Sequence, residues 1–187
     1  MSQKKSGKEK IKKIDRKRQP SGNEGLKGCL NMSIERVRKE FEQYGIADRI
    51  LELDESSATV DLAAKALGCE PDHIAKTLSF MGNDGPILVV TSGLGRVHSG
   101  KFKRTFHTKA TMLKADEVED LVGHAVGGVC PFGVKDNVSV YLDESLKKYE
   151  TVFPACGSSN SAIELTLPEL EKYSHSKGWI DVCKDLQ

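Results

Sequence analysis

The chain has 187 residues, 38% of them hydrophobic and 6% aromatic, with a formal net charge of +1 at neutral pH. That length accommodates one domain plus an appendage, and no apolar run approaches the ~18 residues that a membrane-spanning helix requires. The charge is unevenly placed: residues 1–31 hold ten Lys or Arg against three Asp or Glu, while the remainder is net acidic.

Residues 1–31 read as a disordered basic tail and linker. Nine basic side chains from Lys4 to Arg18 stand in a stretch almost free of apolar residues, and Pro20-Ser21-Gly22-Asn23-Glu24-Gly25 follows as linker. Such a tail attracts polyanions or serves as a solubilising extension. With no apolar segment of a secretory signal, the expected location is the cytoplasm. Five cysteines without a CxxC pair are then expected as reduced thiols, and the five histidines show no zinc-ligand spacing.

Residues 32–187 read as the folded domain. Ile34, Val37 and Phe41 give a helix from Ser33 to Tyr44, ended by Gly45. Arg49 to Leu53 alternates as a half-buried strand. Ser56 to Thr59 supplies caps for a helix through Leu62, Ala63, Ala66 and Leu67, stopped by Gly68, and Pro71 opens a short helical turn. Ile74 to Phe80 and Ile87 to Val90 form a hairpin about Asn83-Asp84-Gly85, the second strand buried on both faces. Ser99 to Phe106 is a basic helix, Thr111 to Leu113 a brief strand, and Ala115 to Val122 an acidic helix closed by Gly123. Strands follow at Val138 to Leu142, Thr151 to Ala155, Ala162 to Leu167 and Trp179 to Val182. Between them lie a short helix capped by Asp143 and a last helix opened by Pro168. Strands and helices alternate irregularly, which predicts a single α+β domain with a mixed, partly antiparallel sheet flanked by helices.

Two stretches invite chemistry. Gly127-Gly128-Val129-Cys130-Pro131-Phe132-Gly133 is either a tight connection between strands or a loop that presents bare N–H groups to an anion or carbonyl. Lys76 sits within Ile74-Ala75-Lys76-Thr77-Leu78, where burial of a cation is costly without a partner or ligand. The plain alternative is a lysine whose head reaches solvent.

These stretches stand in an ordered set. Thr59-Val60-Asp61-Leu62-Ala63-Ala64, Leu67-Gly68, the Lys76 segment and Ser92-Gly93 come first. Val126-Gly127-Gly128, Pro131-Phe132-Gly133, Tyr141-Leu142-Asp143, Tyr149-Glu150, Cys156-Gly157 and Ile163-Glu164-Leu165 follow. In this order the chain resembles the YbaK/prolyl-tRNA synthetase-associated family of editing domains, from about Ile34 to Val182. The resemblance implies a free-standing aminoacyl-tRNA deacylase that hydrolyses the ester of a mischarged small amino acid (Ala, Cys, 2-aminobutyrate, Ser or Thr) on tRNA(Pro). Editing of this kind corrects what a binding pocket alone cannot discriminate. It implies no metal or organic cofactor, mischarged tRNA as partner with prolyl-tRNA synthetase beside it, and no membrane association.

By the same resemblance Lys76 takes the family lysine's place, and Gly127 and Gly128 join it as catalytic positions. Val129, Cys130, Pro131, Phe132, Gly133, Gly157, Ser158, Thr59 and His124 are the expected substrate-binding positions. Cys130 is expected as a small pocket-lining residue rather than a nucleophile, and His124 as packing or pocket wall. Ala162 replaces the Asp of the cysteine-specific branch, which argues against a cysteinyl ester. Lys101, Lys103 and Arg104, with Lys109 nearby, form the basic cluster expected to meet tRNA phosphates. A non-catalytic tRNA-binding module and a small-molecule esterase are the alternative functions.

Overall fold

The strand β3 (Pro86–Ser92) is buried at all seven positions and therefore has to be covered on both faces. It does so at the centre of a six-stranded sheet in a computed structural model that describes residues 22–54 and 56–184, with side chains from Met32 onward. β3 pairs antiparallel with β2 (Ile74–Met81) across a tight turn in which Gly82 N–H donates to Gly85 O at 2.9 Å. β4 (Ser139–Asp143) lies parallel to β3, and β8 (Trp179–Ile180) parallel to β4. On the other side β5 (Thr151–Pro154) runs parallel to β2 and carries β7 (Leu165–Thr166) antiparallel. The order is thus β7-β5-β2-β3-β4-β8, a mixed sheet as expected. β1 (Leu51–Glu52) and β6 (Ser161–Ala162) make a separate two-stranded ribbon.

Alternation along the hairpin divides the core. Ala75, Leu88 and Val90 face α1 (Gly22–Glu42), α4 (Ala115–Val122) and α5 (Leu167–Tyr173), packing with Val37, Phe41, Val122 and Leu170. Phe80, Ile87 and Val89 face the opposite way, onto Phe102 of α3 (Ser99–Phe106). The helices end where the sequence says they should. α2 (Val60–Leu67) is capped by the Thr59 side chain and closed by Gly68 at φ 67°, and α4 is closed by Gly123 at φ 98°.

Several boundaries differ from expectation. α1 begins at Gly22, so residues 22–31, read as part of the linker, are helical. No proline interrupts that stretch, and a helix extends readily once its first turn has formed. Residues 1–21 of the expected tail lie outside the described residues. The expected strand from Arg49 shortens to β1, because Ala47–Arg49 is a 3-10 turn. Thr111 to Leu113 does not form a strand but is tied to β2 by Met81 N–H to Thr111 O (2.9 Å) and Leu113 N–H to Ser79 O (3.0 Å). The expected strand from Ala162 divides into β6 and β7, which pair with different sheets.

α3 depends on one anchor. Phe102 is fully buried and its ring lies 4.8 Å from that of Phe80 and 4.6 Å from that of Phe106. Phe102→Ala is expected to cost about 3–5 kcal/mol of unfolding free energy, measured by urea denaturation.

Candidate active site

β2 has different neighbours along its outer edge. β5 accompanies it only as far as Ala75, and the segment from Thr111 to Leu113 takes over only at Ser79. A cavity of about 320 Å³ opens at the gap, walled by α2, the start of α4, Val126, Gly127 and Val129 (but not Gly128), Phe153 and Ala155, and Ser161 with Ala162. Its wall is largely apolar: Val60, Ala63, Ile74, Val118, Val129 and Phe153 all contribute.

Lys76 lies at this cavity, half-buried, with Nζ donating to Gly95 O at 2.7 Å and Gly93 O at 3.1 Å. Burial is the main force pulling its pKa below the ordinary lysine value. Two carbonyls, which only accept, hold the ammonium as a donor; of its three N–H groups one remains. The accepting turn is itself fixed. Leu94 N–H donates to Asp72 Oδ1 at 3.0 Å, and a Cβ on Gly93 would stand 1.9 Å from Pro71 O. Only glycine lets that turn approach closely enough to present both carbonyls.

The glycine-rich loop has two sides. Gly127, at φ 90°, and Val129 line the cavity together with Lys76 and Thr59. Pro131 and Gly133 instead line a second, polar depression with Arg36, Lys135 and His175. Two of the loop's N–H groups are committed, that of Gly128 to Ala125 O at 3.0 Å and that of Gly133 to the Glu40 carboxylate. Gly128 is pressed against Gly157, whose carbonyl a Cβ there would meet at 2.7 Å. Ser158, next in that turn, is buried and spends its hydroxyl on Ser161 (2.7 Å) and Asn160 (2.9 Å).

Cys130, Phe132 and His124 are fully buried and do not line the cavity. His124 Nε2 lies 2.6 Å from Phe132 O, so it carries the proton, and Nδ1 accepts from the Ser33 hydroxyl. Cys130 Sγ is 3.5 Å from Nε2 and 3.5 Å from Phe132 O. This pairing was not legible in the sequence, and it is not a nucleophile with its base. Burial pushes the thiol up to about 12 and the imidazole down to about 4, so both are neutral near pH 7. The pair braces the loop to α1.

The basic cluster stands apart. Lys101 pairs with Asp181 at 2.8 Å, whereas Lys103 and Arg104 are exposed on α3; none of the three lines the cavity. Among the described residues, no three His, Cys, Asp or Glu side chains converge as a metal site, and no helix is long and apolar enough to cross a membrane. The apolar wall was missed from the sequence, because Val60, Ile74 and Phe153 carry no signal there beyond ordinary core periodicity.

The profile of the aminoacyl-tRNA editing domain matches residues 54–173. The chain belongs to this family. The matched span contains every residue that lines the editing-domain cavity, from Ser57 to Ala162. YwhH of Bacillus subtilis, an uncharacterized protein, is 51% identical over 155 residues, covering 82% of this chain and 99% of YwhH. EbsC of Enterococcus faecalis, described as a candidate Cys-tRNA(Pro)/Cys-tRNA(Cys) deacylase, is 28% identical, covering 71% of this chain and 79% of EbsC. Proline–tRNA ligase of Shouchella clausii is 33% identical over 104 residues, 55% of this chain but only 18% of the ligase. Among solved structures, a candidate trans-editing enzyme for prolyl-tRNA synthetase superposes with a TM-score of 0.74 at 33% identity, covering 81% of this chain and 97% of that one.

The buried imidazole makes the editing domain acid-sensitive. Its pKa falls on folding from 6.5 to about 4, chiefly through burial, so below pH 6.5 the unfolded chain takes up a proton that the folded one refuses. Stability is expected to fall by roughly 3 kcal/mol as pH drops from 6.5 to 4, then level off for this group. His124→Gln should flatten that part of the stability–pH curve, as measured by urea denaturation at several pH values.

Proposed function

We propose that this editing domain is a trans-acting aminoacyl-tRNA deacylase that removes a mischarged small amino acid from tRNA(Pro), beside prolyl-tRNA synthetase. The observation that carries the reading is the Lys76 ammonium, held by two carbonyls at the wall of a small, apolar cavity. A cavity of about 320 Å³ suits an aminoacyl group and the adjoining ribose better than a larger acyl chain. Ala63, Val129 and Ala162 offer no charge to an acyl side chain, which favours alanyl and 2-aminobutyryl esters over cysteinyl. Val126 and Met112, 59% and 56% exposed, give the cavity an apolar mouth on which the terminal adenosine can pack.

The ester is already activated, so positioning and charge stabilisation suffice. Water attacks the carbonyl carbon, the bond to the ribose oxygen breaks, and that oxygen leaves with a proton, releasing amino acid and tRNA. The neighbouring ribose hydroxyl assists the water. The remaining Lys76 N–H meets the developing oxyanion, and the main-chain N–H groups of Gly127 and Val129 receive the terminal ribose. Cys130 takes no covalent part, since its thiol is neutral and sealed from the cavity.

Wild type and Lys76→Ala are to be compared on tRNA(Pro) charged with alanine, 2-aminobutyrate, cysteine, serine, threonine and proline. The expected result is selective hydrolysis of a small-residue ester, reduced about a hundredfold or more in a variant that remains folded by circular dichroism. Equal activity in the variant, or no hydrolysis of any species, would overturn the reading. Lys103 and Arg104 are assigned to acceptor-stem phosphates. Replacing both by Ala should weaken tRNA binding and make its log–log salt slope shallower by about 2.

A further inference from the structure

The outer edge of β2 carries an unused pair of main-chain groups. Gly82 N–H bonds to Gly85 O across the hairpin turn, so even-numbered residues of β2 turn their peptide groups toward β3. Odd-numbered residues face outward, as Met81 N–H and Ser79 O confirm by bonding to Thr111 and Leu113. Thr77 lies between them and the end of the β5 ladder, which stops at Ala75↔Pro154. Among the described residues its N–H and C=O therefore have no partner, and both face the gap where the cavity opens. The Thr77 hydroxyl is also buried without a partner. Buried hydroxyls are mostly paired, so an unpaired one beside a strand edge that has left its ladder at a cavity wall marks a ligand contact.

An α-aminoacyl group has the main-chain atoms of a single residue: a nitrogen that donates, an α-carbon and a carbonyl that accepts. We infer that it docks on the β2 edge as a one-residue strand, its α-ammonium donating to Thr77 C=O and its ester carbonyl accepting from Thr77 N–H. This is the reciprocal exchange of a hydrogen-bonded antiparallel pair. It rests on the deacylase reading for the identity of the acyl ligand. Two consequences follow from the geometry. The amine must be free, so N-acylated esters are rejected. Directly opposed residues in a sheet project their side chains to the same face, so an L-residue points to the Thr77 face and a D-residue toward the Lys76 face. The edge thereby reads the backbone and handedness of the amino acid, while the apolar wall reads its size.

The test is a ¹⁵N–¹H titration of the full chain with 3′-L-alanylamino-3′-deoxyadenosine, whose amide resists hydrolysis, and with its N-acetyl and D-alanyl counterparts. The Thr77 amide resonance should move with the free L-form, and the other two should bind about ten- to a hundredfold more weakly. Saturation that moves the Gly127 and Val129 amides but not Thr77 would overturn the proposal, as would equal binding of the N-acetyl form or no binding of any analogue. The hydrolysis panel separates the two readings. Hydrolysis with a silent Thr77 leaves the deacylase and removes the edge contact; a moving Thr77 with no hydrolysis does the reverse.

Discussion

An ammonium group placed in an apolar strand has to find acceptors, and the architecture around the cavity answers that demand. Lys76 reaches Gly93 O and Gly95 O, in the turn that leaves β3. That turn can present them because Gly93 has no side chain to strike Pro71 O and because Asp72 receives Leu94 N–H. Pro71 and Asp72 in turn belong to the 3-10 segment between α2 and β2, so the lysine, its acceptors and one wall of the cavity are mutually dependent. The result is a fixed positive charge in a largely apolar pocket, where it acts with less screening than it would in water.

The glycine-rich loop solves a related packing problem. Its cavity side needs bare main chain, and its other side needs to lie flat on the domain. Gly128 allows contact with the Gly157 backbone, and Gly133 lets its N–H reach the Glu40 carboxylate on α1. His124 and Cys130 converge beneath it on Phe132 O, an arrangement that resembles a catalytic pair in composition and differs from one in protonation. Desolvation is the deciding term: it keeps thiol and imidazole neutral, so the pair contributes rigidity rather than nucleophilicity.

The gap in the edge of β2 links these features. Had β5 continued beside β2, the outward peptide of Thr77 would be paired and the cavity closed. Instead the chain departs from β2 and turns at Cys156 to Ser161, and Ser161 and Ala162 pair with β1 while Ala162 also bridges back to Ala155. The same departure forms the cavity wall and opens the strand edge, so Lys76 on one face of β2 and Thr77 on the other border a single space.

Much of this was written in local sequence. Caps at Thr59 and Asp143, stops at Gly68 and Gly123, the Asn83-Asp84-Gly85 turn and the doubly buried β3 follow from backbone preferences and periodicity, which act over a few residues. Lys76 stood out because a lone cation in an apolar run demands an explanation, and the ordered motifs pointed to an editing domain. Tertiary structure decided what depends on contacts between distant segments. It brought Gly93 and Gly95 to Lys76 and divided the glycine-rich loop between two sides. It placed His124 against Cys130 and split the strand from Ala162 between two sheets. The open Thr77 peptide belongs to the same class, since a strand's own residues do not specify where its neighbour ends.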